Sequence, residues 1–134
     1  MRRALIALAA AVAVFVAVTW LALEGSGVAV VTTTTPDGSP RETHVWFAEL
    51  GGVLWLEAGL PENPWFTDAQ RSPRIRLALP GAVATAFDAH PVPTAEAQQR
   101  VRAALHHKYG WRDTWVGLLV DASRSVAVRL DPAR

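Results

Sequence analysis

The stretch that decides the fold is Val28–Ala58, VAVVTTTTPDGSPRETHVWFAELGGVLWLEA. It opens on a β-branched run, Val28–Thr34, whose side chains favour the pleated surface of a strand. Pro36-Asp37-Gly38-Ser39-Pro40 interrupts that run with turn residues, proline presetting one dihedral and glycine accepting a positive one. Arg41–Leu50 resumes an extended pattern, with Thr43, Val45 and Phe47 on one face and His44, Trp46 and Ala48 on the other. Gly51-Gly52 is a two-residue hairpin signal leading into Val53–Ala58.

Downstream the pattern changes. Asn63-Pro64-Trp65 reads as a helix start, with Asn63 as cap and Pro64 in the first helical position. Trp65, Phe66 and Ala69 then face inward, and Pro73 ends the helix. Arg74–Leu79 and Ala82–Val92 read as strands either side of the Pro80-Gly81 turn. Pro93-Thr94 opens a long helix with Ala97, Val101, Ala104 and Leu105 as its buried stripe and Gly110 as its C-cap. Trp111–Val120 suits a short helix or a strand equally, and Arg124–Leu130 alternates as the last strand. The expected fold class is mainly β (α+β). About six mostly antiparallel strands close or half-close a small barrel, with one short and one long helix.

Upstream lies Ala4–Leu23, a 20-residue apolar run in which the chain's 51% hydrophobic content is concentrated. At about 1.5 Å per residue it is roughly 30 Å long, the depth of a bilayer's hydrocarbon core. A cleaved signal peptide is the competing reading. Its apolar region normally runs about 7–15 residues to a small-x-small site, whereas here the run is longer and ends at Leu23-Glu24-Gly25-Ser26-Gly27. The expected organisation is a transmembrane anchor and linker over 1–26 and a barrel domain over 27–134. Arg2 and Arg3 precede the span and no Lys or Arg follows before Arg41. The positive-inside rule therefore puts the N-terminus in the cytoplasm and the domain outside; a cytoplasm-facing domain is the alternative.

Beyond residue 26 the chain carries eleven basic and eleven acidic residues, so no basic face offers itself to nucleic acid. With no cysteine, thiolate metal sites, disulfides and cysteine nucleophiles are excluded. His106 and His107 are neighbours on a helix, about 100° apart, and cannot share a metal ion. No P-loop, G-x-S-x-G or paired-carboxylate pattern is present.

Three segments carry a resemblance. They are Thr33–Phe47 (TTTPDGSPRETHVWF), Gly59 with Asn63-Pro64-Trp65-Phe66 and Arg71-Ser72-Pro73-Arg74-Ile75, and Lys108-Tyr109-Gly110-Trp111. In their order they resemble the deazaflavin-dependent nitroreductase and quinone reductase family, part of the pyridoxamine-phosphate-oxidase-like split β-barrel superfamily. The resemblance implies a cofactor groove on the barrel, often completed by a second subunit and hence a homodimer. The cofactor it implies is a deazaflavin (coenzyme F-420), with FMN as the alternative. The reaction it implies is hydride transfer to a small quinone- or nitro-type electron acceptor. It singles out no catalytic side chain, because the cofactor carries the chemistry.

Carried onto this chain, the implied cofactor-binding residues are Arg41, Thr43, Trp46, Gly59, Asn63 and Trp65. Arg41 offers a rigid fork for phosphate. The helix start at Asn63 offers backbone N–H groups to an anion. Thr43 offers a hydroxyl to a ring edge, and Trp46 or Trp65 a stacking face. Asp37, in a turn that is commonly basic in the deazaflavin members, favours a second reading: a non-catalytic, degenerate barrel that binds a ligand or dimerises at the membrane. A third reading, a haem-binding split barrel, would need an axial histidine, and His44 is the candidate.

Overall fold

The computed structural model describes all 134 residues. In chain order the elements are α1 (Arg2–Glu24), β1 (Ala29–Thr34), β2 (Pro40–Val45), β3 (Phe47–Leu50), β4 (Val53–Ala58), α2 (Pro64–Arg71), β5 (Arg74–Ala78), β6 (Thr85–Val92), α3 (Ala95–Tyr109), α4 (Trp111–Leu119) and β7 (Val126–Pro132). All strand pairs are antiparallel, in one seven-stranded sheet ordered β2-β1-β5-β6-β7-β4-β3.

That order forces curvature. β2 and β3 are the two outer strands, yet only Trp46 separates them in the chain. In a flat sheet, six spacings of about 4.8 Å would hold them roughly 29 Å apart. Two residues of extended chain reach only about 7 Å. The sheet therefore curls into a half-barrel whose edges meet at Trp46. The expected single strand Arg41–Leu50 is thus two strands: the chain changes pairing partner at Trp46, from β1 to β4. The expected alternation survives the change. Val45 and Phe47 face the barrel interior, and Trp46 and Ala48 face α3.

Three further expectations are corrected. The strands number seven where about six were expected, the extra one arising from this break. The stretch 111–120, open between helix and strand, is helical, giving four helices where the sequence suggested three, the N-terminal one included. The strand expected from Ala82 begins only at Thr85.

The interior is filled by Val31, Leu56, Ile75, Leu77, Val128 and Leu130 from the strands and by Trp65, Phe66 and Ala69 from α2. The α2 residues are the three expected to face inward. A second cluster forms where α3 lays Ala97, Val101, Leu105 and Tyr109 on Ala48 and Ala127 of the sheet's outer face. The α3 ends are as the sequence indicates: Ala97 N–H donates to Thr94 Oγ1 at 3.2 Å, and Gly110 turns the chain at φ 56°.

Tyr109, at the end of α3, ties distant segments together. Its hydroxyl donates to Gly27 O at 2.7 Å and accepts from Phe47 N–H at 3.2 Å, while its ring stacks on Trp46 at 4.4 Å. The final turn of α1 is built into the domain as well. Ala22 is fully buried, Arg112 Nε donates to Ala22 O at 2.8 Å, and Arg112 Nη1 donates to Ser26 O at 2.6 Å. From residue 2 to residue 17, by contrast, α1 is exposed throughout.

Candidate functional site

β2 is a sheet edge, so the backbone groups along one of its sides have no strand partner. Along that strand runs a cavity of about 550 Å³, lined by the six consecutive residues 41–46. Gly59 follows β4 on its wall, Asn63, Pro64 and Trp65 begin α2, and Arg102 comes from α3. Glu57 of β4, Asp113, Val116 and Gly117 of α4, Val120 and Ala122 just after it, and Leu23 and Glu24 of α1 complete the lining. The size is that of a small-molecule or cofactor site.

All six residues marked in the sequence line this one cavity, although they come from three separate segments. Their situations differ. Arg41 is half-committed: its Nε donates to Asp68 Oδ2 at 2.8 Å, while its two terminal nitrogens bond no protein group. The Thr43 side chain likewise makes no hydrogen bond within the protein. Trp46 has one ring face covered by Tyr109, and its Nε1 donates to Leu23 O at 3.4 Å. Gly59 leaves room, since a Cβ there would meet no atom within 4 Å.

Two of the expected roles change. Trp65 is 3% exposed and packs edge-on against Phe66, so it contributes a core wall rather than a free stacking face. Asn63 holds the N-cap position, but its side chain makes no capping bond. Its carbonyl instead accepts from Phe66 N–H and Thr67 N–H, both at 3.0 Å. Pro64 has no N–H, so α2 offers an anion the single N–H of Trp65.

The charged groups that organise the site were not marked in the sequence. Asp68 is buried on the inner face of α2, where it accepts from Arg41, from Arg71 at 3.1 Å and from Thr33 Oγ1 at 3.1 Å. The Arg41 hydrogen bond, helped by Arg71 and Thr33 and opposed by burial, holds its carboxyl below the usual carboxylate range. A carboxylate one turn from Trp65 on an inward-facing stripe was the available signal, because a buried acid needs a cation.

The second group joins three elements. Arg102 donates from Nη1 to Glu57 Oε1 at 3.0 Å and from Nη2 to Asp113 Oδ1 at 2.5 Å, and His106 Nδ1 lies 3.0 Å from Asp113 Oδ2. Burial pushes the Glu57 carboxyl up, against the lowering pull of Arg102. His44 lines the cavity with Nδ1 paired to Glu24, leaving Nε2 without a protein partner. The wall thus holds two arginines and four acids; both terminal nitrogens of Arg102 are paired to carboxylates, whereas those of Arg41 bond no protein group.

No family model and no curated protein sequence matches this chain. Solved structures do. A putative pyridoxamine 5'-phosphate oxidase from Listeria innocua superposes with a TM-score of 0.60 at 19% identity, over 84% of this chain and 89% of that one. The fold is a split β-barrel. An F-420 reductase shares it at 19% identity and a TM-score of 0.54, over 86% of this chain and 93% of its own. So does HutZ, the haem storage protein of Vibrio cholerae, at 13% identity and 0.62, over 84% and 86%. Split barrels whose names point to different ligands thus resemble this chain about equally well.

Proposed function

We propose that this chain is a membrane-anchored split-barrel reductase that holds a flavin-type cofactor in the cavity along β2. One observation carries the reading: Arg41, Thr43, Trp46 and Gly59, marked in the sequence by resemblance, surround one cavity of cofactor size, with the Arg41 terminal nitrogens and the Thr43 hydroxyl uncommitted. When bound, the cofactor would supply a hydride to a small quinone- or nitro-type acceptor. Arg41 would hold a phosphate, assisted by Trp65 N–H, and Thr43 and the open β2 backbone would hydrogen-bond a ring edge. Glu57 stands on the same wall, its carboxyl raised by burial, as a proton donor for the reduced acceptor.

The charge pattern bears on the cofactor's identity. One arginine with free terminal nitrogens suits a single phosphate, and the unpaired Glu42 beside it opposes a polyanionic tail. This favours FMN over the deazaflavin that the sequence resemblance ranks first. The named neighbours are consistent with either, being a pyridoxamine phosphate oxidase-like protein and an F-420 reductase. Haem is the second reading, and the free Nε2 of His44 is the observation that favours it.

Membrane anchoring rests on α1, the one helix long and apolar enough to cross a bilayer. Its last turn is packed into the domain through Ala22 and Arg112, contacts that cleavage of a leader would destroy. The two N-terminal arginines favour an extracytoplasmic domain.

Tryptophan quenching tests the cofactor. The detergent-purified full chain is titrated separately with FMN, the deazaflavin and haemin. Saturable quenching by FMN is expected, weakened roughly 10- to 100-fold in Arg41→Ala by loss of a charge-assisted hydrogen bond of about 1.5–3 kcal/mol. Binding of haemin alone, abolished in His44→Ala, would establish the second reading. No quenching by any of the three would leave a non-catalytic barrel and refute the reductase.

A further inference from the structure

We propose that α4 is a second membrane element, lying against lipid beside α1 with its outer face in the acyl chains. The inference rests on the reading that α1 spans the bilayer, and goes beyond it.

The depth of α4 is set by its contacts with α1. The Trp115 ring packs on Phe15 with centroids 5.7 Å apart, and Trp115 Nε1 donates to Thr19 Oγ1 at 3.1 Å. Phe15 and Thr19 lie eight and four residues before Leu23, the end of the apolar run. At about 1.5 Å per residue those positions are roughly 12 and 6 Å inside it. A bilayer that accommodates α1 therefore reaches Trp115.

The composition of α4 suits that depth. At 100° per residue, Trp111, Trp115, Leu118 and Leu119 fall within an arc of about 100°. Trp111 is 57% exposed, Leu118 76% and Leu119 46%. No charge accompanies them. Asp113 points inward to Arg102 and His106, and Arg112 turns to the carbonyls of Ala22 and Ser26, with its remaining terminal nitrogen buried. In water this face would be an unpartnered apolar patch continuous with the exposed side of α1; beside α1 in lipid it is satisfied. The opposite face carries Asp113, Val116 and Gly117 of the cavity wall. The cavity then stands one helix width, about 10 Å, from the acyl chains.

The absence of cysteine makes the test direct. Single cysteines are introduced as Leu118→Cys, Val12→Cys in mid-α1 and Val83→Cys, the last an 86%-exposed site between β5 and β6. Each full-length variant is spin-labelled and reconstituted in vesicles of phosphatidylcholine and phosphatidylglycerol. Collision rates are read with oxygen, which concentrates in lipid, and with a nickel chelate, which stays in water. The label at 118 is expected to match that at 12, accessible to oxygen and several-fold less accessible to nickel than the label at 83. Free nickel access at 118 with shielding at 12 would overturn the inference and leave the anchor intact. Nickel access at both would overturn the anchor and the inference together. Shielding of 118 from both probes would put a protein surface, such as a second copy, on α4 in place of lipid, and would equally overturn it.

Discussion

Tyr109→Phe removes one oxygen atom and tests how the barrel is closed. That hydroxyl donates to Gly27 O at 2.7 Å and accepts from Phe47 N–H at 3.2 Å, joining the α1–β1 linker to the first residue of β3. Tyr109 is 4% exposed, so water has little access to replace the lost partner. A buried backbone group left unpaired costs about 1–3 kcal/mol, and two are affected. Removing the hydroxyl's own desolvation returns part of that, so a net loss of about 2–3 kcal/mol is expected. For a domain near 100 residues this lowers the thermal midpoint by roughly 10 °C or more. Near-ultraviolet circular dichroism of the full chain in detergent measures it. Exchange of the Phe47 amide should accelerate in the same variant, and the Trp46 stack should persist because the ring is retained. A midpoint within about 2 °C of the parent, with Phe47 exchange unchanged, would refute this account of the closure.

The remaining predictions concern the charged groups and the cavity. Arg102→Met leaves Glu57 and Asp113 buried without their guanidinium and should cost about 3–5 kcal/mol near neutral pH. Because burial raises the Glu57 carboxyl, the variant's favourable state is the protonated one, so its deficit in denaturant unfolding should narrow as pH falls and widen as pH rises. Asp68→Asn acts in the opposite sense. The depressed carboxyl contributes stability above its ordinary value of 3.8 and loses it as pH falls through the lower folded value, so the variant should be weaker at neutral pH with a shallower acid limb below about pH 4. Gly59→Val places methyl groups where a Cβ meets no atom within 4 Å, so the melting point should hold while the FMN quenching midpoint rises; unchanged affinity would remove Gly59 from the site.

Much of this fold was legible because local signals and tertiary demands agree. The Thr-rich β1, the Pro-Asp-Gly turn, the Gly51-Gly52 hairpin and the Thr94 cap each specify one conformation, and each is found. The break at Trp46 was not legible, since the side-chain alternation runs through it unchanged and only the hydrogen-bonding partner switches. Residues 111–120 were ambiguous because their apolar side chains face away from the domain core, Trp115 onto α1 and Trp111, Leu118 and Leu119 outward, so their periodicity does not answer to the barrel. The site divides similarly. Arg41, Thr43, Trp46 and Gly59 could be marked because they fall within recognisable segments. The Arg102 network could not, because Glu57, Arg102 and Asp113 lie on three elements and meet only after α3 has folded across the sheet.

The meeting point of the barrel's edges also couples the anchor to the cavity. Trp46 is the single residue between β2 and β3, and it lies on the cavity wall. It stacks on Tyr109, which in turn holds Gly27, and its indole N–H reaches Leu23 O at the end of α1. The neighbouring His44 pairs with Glu24 on the same turn of α1. A rotation or tilt of α1 therefore cannot leave the β2 edge untouched, because two consecutive contacts from α1 land on residues 44 and 46. Arg112 adds a third, bonding Ala22 and Ser26 from α4, which forms the facing wall. Both walls of the cavity are thus fastened to the last turn of one helix, and the shape of the site depends on that helix remaining in place.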